Sequence, residues 1–381
     1  MKFCLDARTA TDHFPGIGRY VSNLARAMVN QLVGEEQLIV FRDPSRLSQW
    51  ELPAARPGQV TVIEAPVSPF GFGQQFAIPR MLRASGAGVY HSPYYLMPYF
   101  PGTPTVVTLY DLIPQLFPQV VSARARLLFQ VTTRLALRAA DQVITISEAS
   151  RRDLLAAYRL NPAGGTVTAI PLAPDPIMRP QSAEELRRVR EKFGLPERFV
   201  LYLGINKPHK NLVRLVEAWK MVETDAPLVI AGAWDERYPQ VKERVAALRL
   251  GERASTKRVR FLGPVSNADQ PGLYAAATVF VFPSLYEGFG LPVIEAMACG
   301  TAVACANTSS LPEAAGEAAI LFDPNQPDEM AGSIQRLLRD ENLRDSLREK
   351  GLVQAGKFSW ERAAVDTMSV YRTLSEASQG A

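Results

Sequence analysis

Short runs of β-branched and apolar residues alternate with segments of helical period from one end of the chain to the other. A parallel sheet needs this pattern, because each strand is buried on both faces and a crossover helix must return the chain to the same edge. Strands are expected near residues 2–6, 37–41, 60–64, 88–91, 105–109, 142–146 and 166–170. A second series is expected near 199–203, 228–231, 259–262, 278–282, 302–304 and 319–322. Between them stands Pro171-Leu172-Ala173-Pro174-Asp175-Pro176, followed by Pro180, a stretch too proline-rich for either element and suited to a linker. The 381 residues therefore read as an α/β chain of two doubly wound domains, residues 1–178 and 179–357. Residues 358–381 are left for a helix that packs back on the first domain. Such sheets bind ligands beyond the carboxyl ends of their strands, and two facing each other would enclose a cleft.

Composition narrows the function classes. Hydrophobic residues at 47% and charged residues at 21% supply a core for each half and exclude disorder. Lys and Arg number 42 against 38 Asp and Glu, and a net charge of +4 on a chain this long gives no basis for nucleic-acid binding. Cys4, Cys299 and Cys305 are odd in number and lack metal-ligand spacing, and only His13, His91 and His209 could assist them. Reduced thiols, with no metal site, are expected. The acid at Asp6 interrupts the N-terminal apolar run, so no signal segment is expected. The apolar stretch 275–306 is broken by Glu287, Glu295 and two prolines, so no membrane span is expected. These readings point to a cytoplasmic protein.

Three segments carry chemistry. Gly16-Ile17-Gly18-Arg19-Tyr20 precedes an amphipathic run from Val21, where two glycines at a helix start either expose amides to a ligand or simply cap the helix. A third glycine is missing where a dinucleotide fingerprint needs one, at Val21, which argues against hydride transfer. Leu203-Gly204-Ile205-Asn206-Lys207-Pro208-His209-Lys210-Asn211 lies between an expected strand and an expected helix over 212–222. Lys207 and Lys210 at that helix start would meet a diphosphate as point charges, or stand as solvated lysines. The third segment runs from Phe282 through Glu287-Gly288-Phe289-Gly290-Leu291-Pro292 to Glu295, with Pro292 opening a helix and Gly300 closing it. Its carboxylates, eight residues apart, suit two points on one extended ligand better than a glycosidase pair.

The stretch from Glu287 to Glu295 resembles the Glu-x7-Glu motif of the retaining, nucleotide-sugar-dependent glycosyltransferases of family 4 (group 1), which have the GT-B fold of two Rossmann-like domains. Further points of resemblance are the Gly16 segment, His91-Ser92-Pro93, Asp111-Leu112-Ile113-Pro114, Ser147-Glu148, Lys210-Asn211-Leu212, Phe261-Leu262-Gly263, Ser309-Ser310-Leu311-Pro312-Glu313 and Phe358-Ser359-Trp360-Glu361. Within the family the chain looks most similar to bacterial O-antigen and exopolysaccharide mannosyltransferases.

The resemblance implies a metal-independent transfer of a hexose, with GDP-mannose the expected donor, to a saccharide or lipid-linked saccharide. No cofactor is needed beyond that substrate. It implies that Glu295 holds the donor ribose and that Glu287 sits by the donor sugar. Gly288, Phe289, Gly290 and Leu291 would surround the sugar and phosphate, and Lys210 would neutralise the leaving diphosphate, with Gly204, Asn206 and Lys207 in the phosphate loop. Tyr110 and Asp111 would lie on the catalytic side of the first domain, and Gly16, Ile17, Gly18 and His91 on its acceptor side. Two departures from the family stand out: Tyr110 where many relatives carry His, and Ile205-Asn206 where an Arg often follows the loop glycine. His91 read from its own surroundings is either an acceptor-side group or a satisfied structural histidine. Arg124, Arg126, Arg134 and Arg138, set among Leu127, Leu128, Phe129 and Leu135, form a basic amphipathic helix suited to an anionic membrane surface, or a solvated helix face. Two other functions fit the scaffold: a nucleotide-sugar epimerase, and a non-catalytic nucleotide-sugar binding subunit.

Overall fold

The computed structural model describes residues 1–10, 15–44, 51–161, 164–251 and 258–379; His13 falls outside them. Among the described residues the chain forms thirteen strands, each parallel to its neighbours. β1 (Lys2–Asp6), β2 (Gln37–Arg42), β3 (Val60–Glu64), β4 (Val89–Ser92), β5 (Thr105–Leu109), β6 (Gln142–Thr145) and β7 (Val167–Ala169) build a seven-stranded sheet in the order β3-β2-β1-β4-β5-β6-β7. β8 (Val200–Leu203), β9 (Leu228–Ala231), β10 (Val259–Gly263), β11 (Val279–Phe282), β12 (Val303–Ala306) and β13 (Ala319–Phe322) build a six-stranded sheet in the order β10-β9-β8-β11-β12-β13. In each sheet the order reverses beside the first strand, at β1/β4 and β8/β11, and the loops leaving those strands diverge to open a crevice.

The central strands β4, β5, β8, β9, β11 and β12 are buried along their whole length, while the edge strand β3 is mostly accessible. Continuous apolar runs such as Val279-Phe280-Val281-Phe282 fit because helices cover both faces of a parallel sheet. Each sheet has its own apolar core, that of the second including Trp219 on helix Leu212–Met221.

The chain divides into two compact units, residues 1–172 with 359–381, and residues 173–358. The division at 172 falls six residues before the expected 178, within the proline-rich linker. Helix Trp360–Gln379 packs on helix Pro15–Val29 in the first unit. Arg372 holds it there by donating from Nε to Glu36 Oε1 (2.7 Å) and from Nη2 to Glu36 Oε2 and Gln31 O, both 2.9 Å.

The glycine-led helix starts earlier than its pattern suggests. Gly16 and Gly18 lie within the first turn of Pro15–Val29 rather than ahead of it. Pro15 is preorganised for the first helical position, and packing against Trp360–Gln379 outweighs the low helix propensity of two glycines.

Candidate active site

In the second unit two loops leave adjacent strands, β8 and β11, at the switch point. The chain leaving β8 passes close to the end of β9: Gly204 N donates to Ala231 O (2.9 Å), and Gly232 N to Gly263 O (2.8 Å). Gly232 has φ 125°, and a Cβ there would lie 2.3 Å from Gly204 O, so no other residue fits without moving backbone. Asn206 is buried. Its Nδ2 donates to Asp235 O (2.9 Å) and Tyr238 O (2.8 Å), and its Oδ1 accepts from Asp235 N (2.6 Å). Its side chain thus ties the loop after β8, where the donor phosphate is expected, to the loop after β9.

A single 3₁₀ turn, Pro208–Lys210, leads to Asn211, which takes the left-handed conformation at φ 61°. Asn211 Nδ2 donates to Pro283 O (3.1 Å) and Pro324 O (2.7 Å), anchoring the turn to the chain that leaves β11 and β13. The neighbouring Lys210 is held with it. Its Nζ lies 2.6 Å from Glu287 Oε1 and 5.4 Å from the centre of the Phe282 ring. The two side chains are only 14% and 10% exposed, so this pair is screened far less than a surface ion pair.

Glu287 itself is fixed through its backbone, which donates from N to Ser309 Oγ (2.9 Å) and accepts at O from Ser310 Oγ (2.9 Å). Helix Leu291–Ala298 then begins at Gly290, whose φ of 102° suits glycine and where a Cβ would press on Leu311 Cδ2 at 2.8 Å. Glu295 sits one turn into that helix, 4% exposed, and its Oε2 accepts from Tyr274 Oη (3.1 Å). Gly288, Phe289 and Gly290 are buried, with the Phe289 ring edge-on to Phe358 at 5.3 Å. That ring belongs to the core, so only the backbone at Phe289 is available for a ligand.

Burial holds His209 and the three cysteines in their neutral forms. Burial, reinforced by Lys210 and Lys207, lowers the His209 pKa to about 3. Burial pushes the Cys299 thiol up to about 12, with the Glu295 charge adding to it, and Cys305 likewise to about 12; Cys4 is also well raised. None of the three thiols is a ready nucleophile.

In the first unit, the structure corrects the acceptor-side reading of His91. The side chain is fully buried in β4, with Nδ1 2.6 Å from Tyr371 Oη and Nε2 2.7 Å from Thr108 Oγ1, and Thr108 Oγ1 is 3.0 Å from Tyr20 Oη. His91 is the centre of a hydrogen-bonded chain through the core, and burial lowers its pKa to about 3. Tyr110 and Asp111 follow β5. The Tyr110 ring meets Tyr20 edge-on at 5.4 Å, and its buried hydroxyl has no partner among the described residues. Burial raises its pKa well above the usual phenol value. Asp111 Oδ1 accepts from Ile113 N (2.8 Å) and so starts the next turn. Gly16 is exposed, with Ile17 and Gly18 half-buried.

One constellation escaped sequence reasoning. At the carboxyl end of β1, Asp6 accepts from Arg8 Nε (2.8 Å) and Nη2 (2.6 Å) and from Tyr90 Oη (2.7 Å). Arg8, 1% exposed, also reaches Val67 O (2.8 Å) and Gln74 Oε1 (3.2 Å). This satisfied buried pair fixes the loops around the first switch point. The available signal was an Asp-x-Arg directly after a strand.

The chain matches two family descriptions, Glycosyltransferase Family 4 over residues 15–176 and Glycosyl transferases group 1 over residues 184–353. It is 34% identical over 294 residues to the O-antigen chain mannosyltransferase B of Escherichia coli, covering 75% of this chain and 74% of that protein. Among solved structures, sucrose-phosphate synthase from Thermosynechococcus elongatus superposes with a TM-score of 0.73 at 25% identity, over 99% of this chain and 100% of that one. Anabaena Alr3699/HepE in complex with UDP and glucose shares the fold, with a TM-score of 0.73 at 19% identity over 98% and 100% of the two chains. With two doubly wound units, an acid in the loop after β11 and another in the helix that follows it, this chain belongs to the group 1, family 4 glycosyltransferases of GT-B fold.

Proposed function

We propose that the protein is a retaining, metal-independent hexosyltransferase that moves mannose from GDP-mannose to a saccharide or lipid-linked saccharide in bacterial polysaccharide synthesis. The observation that carries this reading is the Lys210–Glu287 pair at the ends of β8 and β11. A donor diphosphate entering there replaces part of the carboxylate's hold on the ammonium, so Lys210 neutralises the leaving group while Glu287 faces the sugar. The bond from the anomeric carbon to phosphate breaks as the acceptor oxygen bonds on the same face, and the acceptor proton passes to a departing phosphate oxygen. No strong protein base is needed, in keeping with His91 and His209, both buried and held neutral. Glu295, held by Tyr274, accepts the ribose hydroxyls. Mannose is chosen from the similarity to the E. coli mannosyltransferase.

The decisive experiment is a calorimetric titration in chelator with GDP-mannose, UDP-glucose, UDP-N-acetylglucosamine and dTDP-rhamnose, repeated with Glu295→Ala. Selective binding of GDP-mannose that Glu295→Ala abolishes is expected, together with an α-linked product by NMR from this α-linked donor. Binding only with added metal, or an inverted product, would overturn the reading.

The exposed side of helix Ala123–Ala139, with its four arginines and Leu127, Leu128 and Val131, is assigned to peripheral contact with an anionic membrane at the cytoplasmic face. Among the described residues no helix is long and apolar enough to cross a membrane.

A further inference from the structure

Arg134 and Arg138 on helix Ala123–Ala139, and Arg159 at the end of helix Glu148–Tyr158, line one open pocket of about 510 Å³ in the first unit. Leu137, Tyr158 and Leu160 are among its other walls, and none of its lining residues among those described is a carboxylate. None of the three arginines forms an ion pair among the described residues. Three exposed arginines elsewhere in the chain are neutralised locally: Arg188 by Glu185 and Asp269, Arg339 by Glu223, Arg348 by Asp345. Three uncompensated guanidinium groups around one hollow attract an oxyanion, and their planar forks match phosphate oxygens two at a time. The Arg134 guanidinium lies over the Tyr158 ring at 5.7 Å, which restrains it before any ligand arrives. Arg159 takes φ 54°, the left-handed helix-end conformation that favours glycine, yet a long cationic side chain occupies the position.

The source of the phosphate follows from what shares the helix face. Leu127, Val131, Arg134 and Arg138 stand at i, i+4, i+7 and i+11, a single stripe along the helix. Leu127 and Val131 are 62% and 45% exposed, and the stripe runs on from them into the pocket. A free phosphate has no use for exposed aliphatic residues alongside its site, whereas a lipid offers chains to the leucine end and a headgroup to the arginine end. We propose that this pocket binds the phosphate headgroup of an anionic membrane lipid. The assignment rests on the membrane contact proposed above and gives it a specific seat.

The test is co-sedimentation of the full chain with phosphatidylcholine vesicles, with and without about 30 mol% phosphatidylglycerol, the usual anionic lipid of such assays. Arg134→Gln, Arg138→Gln and Arg159→Gln are compared with Arg126→Gln, which removes the same charge outside the pocket. Binding that requires the anionic lipid is expected to fall about tenfold for each pocket variant, and no more than about threefold for Arg126→Gln. Leu127→Ser with Val131→Ser is also expected to weaken it. Equal losses at all four arginines would overturn the pocket and leave a diffuse basic surface. Binding indifferent to lipid charge would overturn the membrane contact as well. Titration with inorganic phosphate closes the last route: saturation that depends on Arg159, together with vesicle binding that Leu127→Ser with Val131→Ser leaves unchanged, would make the pocket a free-phosphate site and overturn the lipid.

Discussion

Lys210 Nζ and Glu287 Oε1 lie 2.6 Å apart across 77 residues of sequence, joining the loops that leave β8 and β11. Removal of either partner leaves the other charge partly buried and uncompensated, so Lys210→Ala and Glu287→Ala are each expected to destabilise the second unit by about 3 kcal/mol. The double variant Lys210→Met with Glu287→Gln should recover most of that loss in a denaturant melt while transfer stays at least about a hundredfold down. Recovery of activity alongside stability would show that the pair only holds the loops.

Stability should fall on mild acidification. The folded pKa values of His91 and His209 are both about 3, below the ordinary 6.5, so the unfolded chain binds protons that the folded chain refuses. The contribution is complete above about pH 6.5 and is lost as the pH falls towards 3, at up to about 1.4 kcal/mol per pH unit for each histidine. Urea midpoints at pH 7, 6 and 5 should drop accordingly, and His91→Gln should flatten the slope for the first unit.

Tyr371→Phe removes the hydroxyl that meets His91 Nδ1 in a fully buried position. The orphaned ring nitrogen is expected to cost about 1–2 kcal/mol. Hydrogen exchange should quicken in Trp360–Gln379 and in Pro15–Val29 and stay unchanged in the second sheet.

Gly232→Ala places a methyl group 2.3 Å from a backbone oxygen at a φ of 125°. A loss of at least about 2 kcal/mol is expected, because the obstacle is main chain that no rotamer change relieves. Nucleotide affinity should fall with it, since the backbone that must yield is that of Gly204, and calorimetry on the folded variant would read this directly.

The thirteen strands among the described residues lie where the sequence suggests, within two residues at either end, the central ones because strands buried on both faces are written as unbroken apolar runs. Glu287 in a loop and Glu295 one turn into a helix were equally readable from Pro292 and Gly300. Tertiary partners were not. His91 meets groups 17 and 280 residues away, so its surroundings in sequence left its structural and acceptor-side readings both open, and Asn206 is engaged by Asp235 and Tyr238, which its own segment did not disclose. Arg8 was overlooked because an arginine reads as surface until a buried acid is known to face it.

The first unit is completed only by helix Trp360–Gln379. During synthesis, residues 173–358 emerge as an uninterrupted stretch and can fold before their predecessor is complete, whereas the first unit must wait with Phe3 and His91 uncovered until Tyr371 leaves the ribosome. The later-encoded unit is therefore expected to be complete first. A nonsense change after residue 358 would spare the later-encoded unit and expose the core of the earlier one.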